Sequence, residues 1–70
     1  MKILHSPKQV GNTIKTVRKS HFMTQRDLAA ACGTGVRFIQ ELEKGKATCA
    51  LGKTLLVIKM LGIRLEAQLP

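Results

Sequence analysis

Seventy residues make one domain at most, and a monomer of that size buries too small a fraction of its chain to favour a deep catalytic pocket. Twelve Lys and Arg against four Asp and Glu leave a net charge of +8, which favours nucleic acid or another anionic surface as partner. Trp and Tyr are absent and only two Phe occur, which argues against folds that stack single-stranded bases on exposed aromatics.

The opening "MKILHSPKQVG" has too short an apolar stretch for a signal peptide, and no run approaches the roughly 18 residues of a membrane span. The expected location is cytoplasmic. Cys32 and Cys49 form no CxxC pair, and neither His5 nor His21 stands at ligand spacing to them. No metal or cofactor is therefore expected, and both cysteines read as small buried residues.

Met1 to His5 reads as short and extended. Ser6-Pro7 then marks a helix start, with Ser at the N-cap and Pro at the first helical position. Val10, Ile14 and Val17 recur at helical spacing, with Lys8, Lys15 and Lys19 on the solvated side, and the helix is expected to end near Ser20-His21. Thr24 is the next N-cap, with Asp27 as a shortened capping-box acid. An alanine-rich helix of about two turns follows, to Cys32. Gly33 fits a left-handed cap.

From Gly35 to Lys44 the chain is amphipathic. Phe38, Ile39 and Leu42 point one way with Gly35, while Arg37, Gln40, Glu41 and Lys44 point the other way. Val36 lies at the edge and Glu43 borders the apolar face. Gly45 ends this helix. Leu51 to Leu61 is a further helix, apolar on most of its circumference, and some of its cover is expected from another subunit. After Gly62 the period changes to two. Ile63, Leu65, Ala67 and Leu69 alternate with polar residues, which predicts a strand over 63–69. A lone strand is unstable, so its partner is either Lys2-Ile3-Leu4 or the same strand of a second chain.

Two glycines, Gly33 and Gly35, stand one residue apart. A nucleotide-binding fingerprint would need a strand before them and a third glycine after, and the sequence provides neither. The pair instead makes a tight turn between two short helices, a helix-turn-helix over about residues 24–44. In that arrangement the second helix enters the DNA major groove. Arg37 can place its fork on guanine, bind a phosphate, or pair with Glu41 one turn on; Gln40 can read adenine or stay solvated. Glu41 can accept from cytosine or orient Arg37. Asp27 has no base, nucleophile or metal ligand beside it, and no enzyme is expected.

The stretch "MTQRDLAAACGTGVRFIQELEKGK" resembles the helix-turn-helix of the Cro and phage-repressor (XRE) family, and the resemblance runs from about Val10 to Leu61. "RFIQELEKGK" followed by "LGKTLLVIKMLGIRLEAQL" is similar to the narrower group of HipB-type antitoxins, which end in a strand. The resemblance implies a mainly α, lambda-repressor-like domain with a short C-terminal β-strand. It implies base contacts from Val36, Arg37, Gln40 and Glu41. It implies phosphate contacts from Thr24, Gln25, Arg26, Lys44 and Lys46, with Gln25 also bracing the recognition helix. It implies a structural ion pair of Arg18 with Glu43. Gly35 stands where the family often has a Ser or Thr cap. Val36 replaces a common Gln, so it can touch a thymine methyl but reads no base by hydrogen bonds.

The expected function is operator binding and autorepression by a homodimer joined through Ile63, Leu65, Ala67 and Leu69, on a palindromic double-stranded site. The narrower resemblance adds neutralisation of a HipA-like Ser/Thr kinase toxin. A phage-type repressor without a toxin, and a protein-interaction module docking through residues 50–61 and the strand, are the alternatives.

Overall fold

The structure is a computed structural model and describes residues 4–66. Four helices follow in order: α1 (Pro7–Ser20), α2 (Gln25–Cys32), α3 (Val36–Lys44) and α4 (Leu51–Met60). Their starts are chemically distinct. The Ser6 hydroxyl accepts the Gln9 backbone N–H at 3.2 Å, and Pro7 occupies the first turn, where its missing N–H leaves no intrahelical bond unmade. At α2 the Thr24 hydroxyl accepts from the Asp27 N–H at 3.0 Å, and the Asp27 carboxylate accepts from the Thr24 N–H at 2.9 Å. This is a complete capping box built with the shorter acid. Neither α3 nor α4 has a side-chain cap.

The four helix ends share one closure. Each has a left-handed residue just past the helix and a backbone bond reaching back five residues. The bonds run from Met23 N–H to Arg18 C=O, Thr34 to Ala29, Lys46 to Glu41 and Ile63 to Ile58, at 2.9–3.2 Å. Three of the left-handed positions are Gly33, Gly45 and Gly62; the fourth is Phe22, at φ 57° and 95% exposed. A side chain with a Cβ is strained there, and this one gains no burial in return.

Each helix contributes one fully buried aliphatic residue: Ile14, Leu28, Ile39 and Val57. Burial of each is worth roughly 1.5–3 kcal/mol. Ala29, Cys32, Leu42, Ile58 and Leu61 complete the core, with Val10, Val17, Met23, Val36 and Phe38 packed around it. α1 lies on α3, and α2 contacts both α3 and α4. The α1–α3 approach depends on Gly11, which the sequence pattern did not single out. A Cβ built there would overlap the Leu42 carbonyl oxygen and lie 2.7 Å from that of Glu43, so the two helix backbones nearly touch.

Two expectations change. The strand expected over 63–69 is not formed over its described part: Ile63–Glu66 carry no regular structure, and Ala67 and Leu69 lie outside the described residues, as do Lys2 and Ile3 of its possible partner. The α4 closure explains the beginning of this segment. The Ile63 N–H is taken by Ile58, and its side chain folds half-buried onto the core, while Leu65 stands exposed. A strand also needs a ladder partner, and none is present among the described residues. The second change concerns a side chain expected to be buried: Cys49 is only partly so.

Val57, Ile58 and Leu61 turn α4 inward, while Leu51, Leu55, Leu56 and Met60 remain open to solvent. No helix among the described residues is long and apolar enough to cross a membrane.

Candidate nucleic-acid interface

α2 and α3 form a helix-turn-helix. The turn is Gly33-Thr34-Gly35. Gly33, at φ 68°, closes α2, and Gly35 is the extended N-cap of α3, with open space where a Cβ would lie.

A buried polar network holds this unit against α1. Arg18 donates from Nε to Glu43 Oε2 at 2.7 Å and from Nη2 to Glu43 Oε1 at 3.0 Å. Its Nη1 donates to the Met23 carbonyl at 2.7 Å, just before α2. Gln25, the first residue of α2, donates from Nε2 to Glu43 Oε1 at 3.1 Å. Arg18 and Glu43 are each only 6% exposed. One guanidinium and one carboxylate thus tie α1, the α1–α2 loop, α2 and α3 together. The bidentate fork leaves little freedom of angle between them. Charges taken this far out of water are tolerable because almost every donor and acceptor has a partner.

The outer side of α3 carries Arg37, Gln40 and Lys44, all exposed. Val36 is half-buried and packs partly against the core, so only part of its side chain is available to a ligand. Glu41 sits between two cations. Arg37 Nε lies 3.2 Å from its Oε1, and Lys46 Nζ lies 2.6 Å from its Oε2. The first contact has the ordinary spacing of one helical turn. The second follows from the closure of α3, since the Lys46 N–H bonds the Glu41 carbonyl and brings the two side chains to one place. The Lys46 hydrogen bond is the main reason the Glu41 carboxyl lies below its ordinary value of 4.5; slight desolvation opposes it, and the charges of Lys46 and Arg37 add to the lowering.

At the start of α2, Thr24 and Arg26 are exposed, although the Thr24 hydroxyl is already engaged in its cap. The Asp27 carboxyl is held below its ordinary value of 3.8 by the Thr24 backbone N–H, then by the Thr24 hydroxyl. Lys53 of α4 stands over the Phe38 ring, 5.7 Å from its centroid, and adds a cation beside α3. Besides exposed Thr24 and Arg26 and half-buried Val36, the residues expected at the interface fall into three groups. Arg37, Gln40 and Lys44 face outward from one helix. Glu41 and Lys46 are paired with each other. Gln25 is turned toward Glu43. Of the expected dimer residues, Ile63 packs on its own chain's core, Leu65 is exposed, and Ala67 and Leu69 lie outside the described residues.

No group of three or more His, Cys, Asp or Glu side chains comes together to hold a metal among the described residues. Burial raises the Cys32 thiol above its ordinary value, which suits a packing role.

Residues 14–67 match the Helix-turn-helix family. An uncharacterized HTH-type transcriptional regulator, y4mF, of Sinorhizobium fredii (strain NBRC 101917 / NGR234) is 38% identical over 69 residues, covering 99% of this chain and 91% of that protein. Among solved structures, a HipB–O4 20mer complex superposes with a TM-score of 0.87 at 24% identity, covering 97% of this chain and 96% of that one. A HipA–HipB–O2–O3 complex does so with a TM-score of 0.88 at 24% identity and the same coverage. With α2 and α3 as its two motif helices, the chain belongs to the helix-turn-helix family of transcriptional regulators, of the Cro and phage-repressor type.

Proposed function

We propose that this chain is a sequence-specific, DNA-binding repressor acting as a homodimer in the cytoplasm, and that it is the HipB-like antitoxin of a toxin–antitoxin operon. The observation that carries the DNA-binding reading is the pairing of a rigid rear side with a basic front on α3. Arg18, Gln25 and Glu43 lock the helix from behind, and Arg37, Gln40 and Lys44 project from its outer side. A net charge of +8 supplies attraction to the phosphate backbone. α3 is nine residues long, a fit for the first turns of a recognition helix in a major groove.

Residues sort by reach. Arg37 and Gln40 take base edges, with Val36 and Glu41 beside them. Lys44, Lys46 and Arg26 take phosphates, with Thr24 and Gln25 at the α2 terminus. The toxin role is supported by the likeness to HipB in its complex with HipA. By that likeness the protein partner is a HipA-like Ser/Thr kinase.

The dimer is supported by the open face of α4. Leu51, Leu55, Leu56 and Met60, set around Lys59 on the outer half of α4, are apolar side chains that one chain leaves uncovered. Leu65 stands exposed just beyond that helix and extends the surface open to a second copy about a two-fold axis. Two α3 helices about 34 Å apart would then read a palindrome in successive major grooves. The test compares the full chain with a chain ending at residue 62, by sedimentation and by titration of a DNA duplex at several salt concentrations. The full chain is expected to be a dimer whose affinity falls steeply with salt, and the shortened chain a monomer with much weaker binding. A flat salt response would overturn the DNA-binding reading, and a shortened chain that stays dimeric and binds normally would overturn the role of the terminal segment.

A further inference from the structure

We propose that Glu41 sets sequence discrimination by holding Arg37 and Lys46 in a self-paired state, which is replaced without loss only at a site that offers partners to all three groups. This rests on the DNA-binding reading above and adds a role for the acid within it. The sequence holds four carboxylate side chains. Asp27 closes the α2 cap and Glu43 is buried against Arg18. Glu66 lies beyond α4 near Arg64. Glu41 is therefore the only carboxylate on the outer side of the helix that would enter the groove, and it engages two of the cations there with separate oxygens, at 3.2 Å and 2.6 Å.

Consider a duplex of arbitrary sequence. Lys46 and Arg37 either stay with Glu41, so that one of their two positive charges is already cancelled and one counterion fewer is released, or they leave it for the DNA and strand a bare carboxylate beside a polyanion. Both outcomes weaken binding. At a matching site the groups are rehoused together. Arg37 places its fork on guanine O6 and N7, Lys46 takes a phosphate, and Glu41 accepts from a cytosine N4 amino group. The carboxylate thus lowers affinity for most DNA and little for one sequence. An isolated exposed ion pair contributes little to fold stability. Competition with a ligand for the same two cations is a different quantity, and it acts at every binding event.

The experiment uses the full chain and Glu41→Gln, with Glu41→Ala as a second variant that separates lost charge from new amide hydrogen bonds. Each is titrated with a random-sequence duplex and with a site selected from a random pool by the unaltered protein, between 50 and 200 mM salt. Thermal melting checks that both variants are folded. Both are expected to bind the random duplex more tightly, with a slope of log affinity against log salt steeper by about 0.9 per chain, because Lys46 reaches one more phosphate. Over that fourfold salt range the difference amounts to roughly 3.5-fold in affinity per chain. The ratio of selected-site to random-duplex affinity is expected to fall. Adding Lys46→Gln to Glu41→Gln should cancel the extra slope. If the unaltered chain binds and selects DNA while the variants keep its random-duplex affinity, its slope or its ratio, the proposal is overturned and the DNA-binding reading stands. If the unaltered chain selects no site and shows no salt-dependent binding, both are overturned.

Discussion

Replacing Arg18 by Met removes the guanidinium and keeps most of the aliphatic stem, so the change isolates the charge network from packing. Glu43 would then keep one partner, the Gln25 amide, with its side chain only 3% exposed. The Met23 carbonyl would lose its side-chain donor. Breaking one side of a buried pair costs about 3–5 kcal/mol. A chain of 70 residues has a total stability of roughly 3.5–10 kcal/mol at 0.05–0.15 kcal/mol per residue, so the loss is a large share of the whole. With about 4–8 °C of melting temperature per kcal/mol in a domain this small, the midpoint should fall by at least ~12 °C. The double change Arg18→Met with Glu43→Leu should recover most of the loss, because an apolar pair of similar volume replaces a buried ion pair with little penalty. It leaves the Gln25 amide and the Met23 carbonyl without these partners, a residue of about 1 kcal/mol. Urea and thermal unfolding followed by circular dichroism, at one fixed chain concentration, measure all three proteins. A single variant as stable as the unaltered chain, or a double variant no better than the single, would refute the network as the lock behind α3.

Phe22→Gly should stabilise the chain by about 0.5–1 kcal/mol, as relief of roughly 1–2 kcal/mol of left-handed strain outweighs the added freedom of the unfolded chain; a loss of stability in the same melts would give the ring a packing role. Gly11→Ala should destabilise by about 1–3 kcal/mol although alanine favours helix, since the new Cβ meets two backbone carbonyls that cannot swing aside; a neutral effect in urea unfolding would show that α1 and α3 slide apart freely. Asp27 has a folded value below its unfolded one near ~3.9, so its contribution is complete above that pH and drains away as pH falls through the folded value. Asp27→Asn should therefore lower stability at neutral pH and shrink the decline below about pH 4, and an unchanged acid limb in unfolding curves would assign that decline to other groups.

The parts of the fold that were legible in the sequence are those decided within one helix. Ser6-Pro7, Thr24 with Asp27, and Gly33 are local signals read by the backbone within three or four residues. Ile14 and Ile39 follow from helical spacing alone, whereas α4 is apolar nearly all round, so spacing did not pick out Val57. What escaped depends on distant chain. Gly11 looks like a weak point in α1 until the backbone of α3 is laid beside it; its one signal was a glycine tolerated in mid-helix. Arg18 and Glu43 are 25 positions apart, so only the family resemblance, and no spacing, suggested their pairing. The Glu41–Lys46 contact was missed because it crosses the end of the helix, where the closing turn changes which side chains are neighbours. The period-two pattern of residues 63–69 was real as a pattern. A pattern names the side that would be buried, and the strand itself requires a partner that the described single chain does not hold.

The central claim, that α3 reads double-stranded DNA as one of a two-fold pair, is tested most directly by selecting bound duplexes from a random pool with the full chain at stated salt. The expected result is a palindromic consensus with half-sites one helical turn apart, and loss of preference at one base position per half-site when the selection is repeated with Arg37→Ala. Recovery of duplexes with no shared sequence, or of a consensus without two-fold symmetry that Arg37→Ala leaves unchanged, would contradict it.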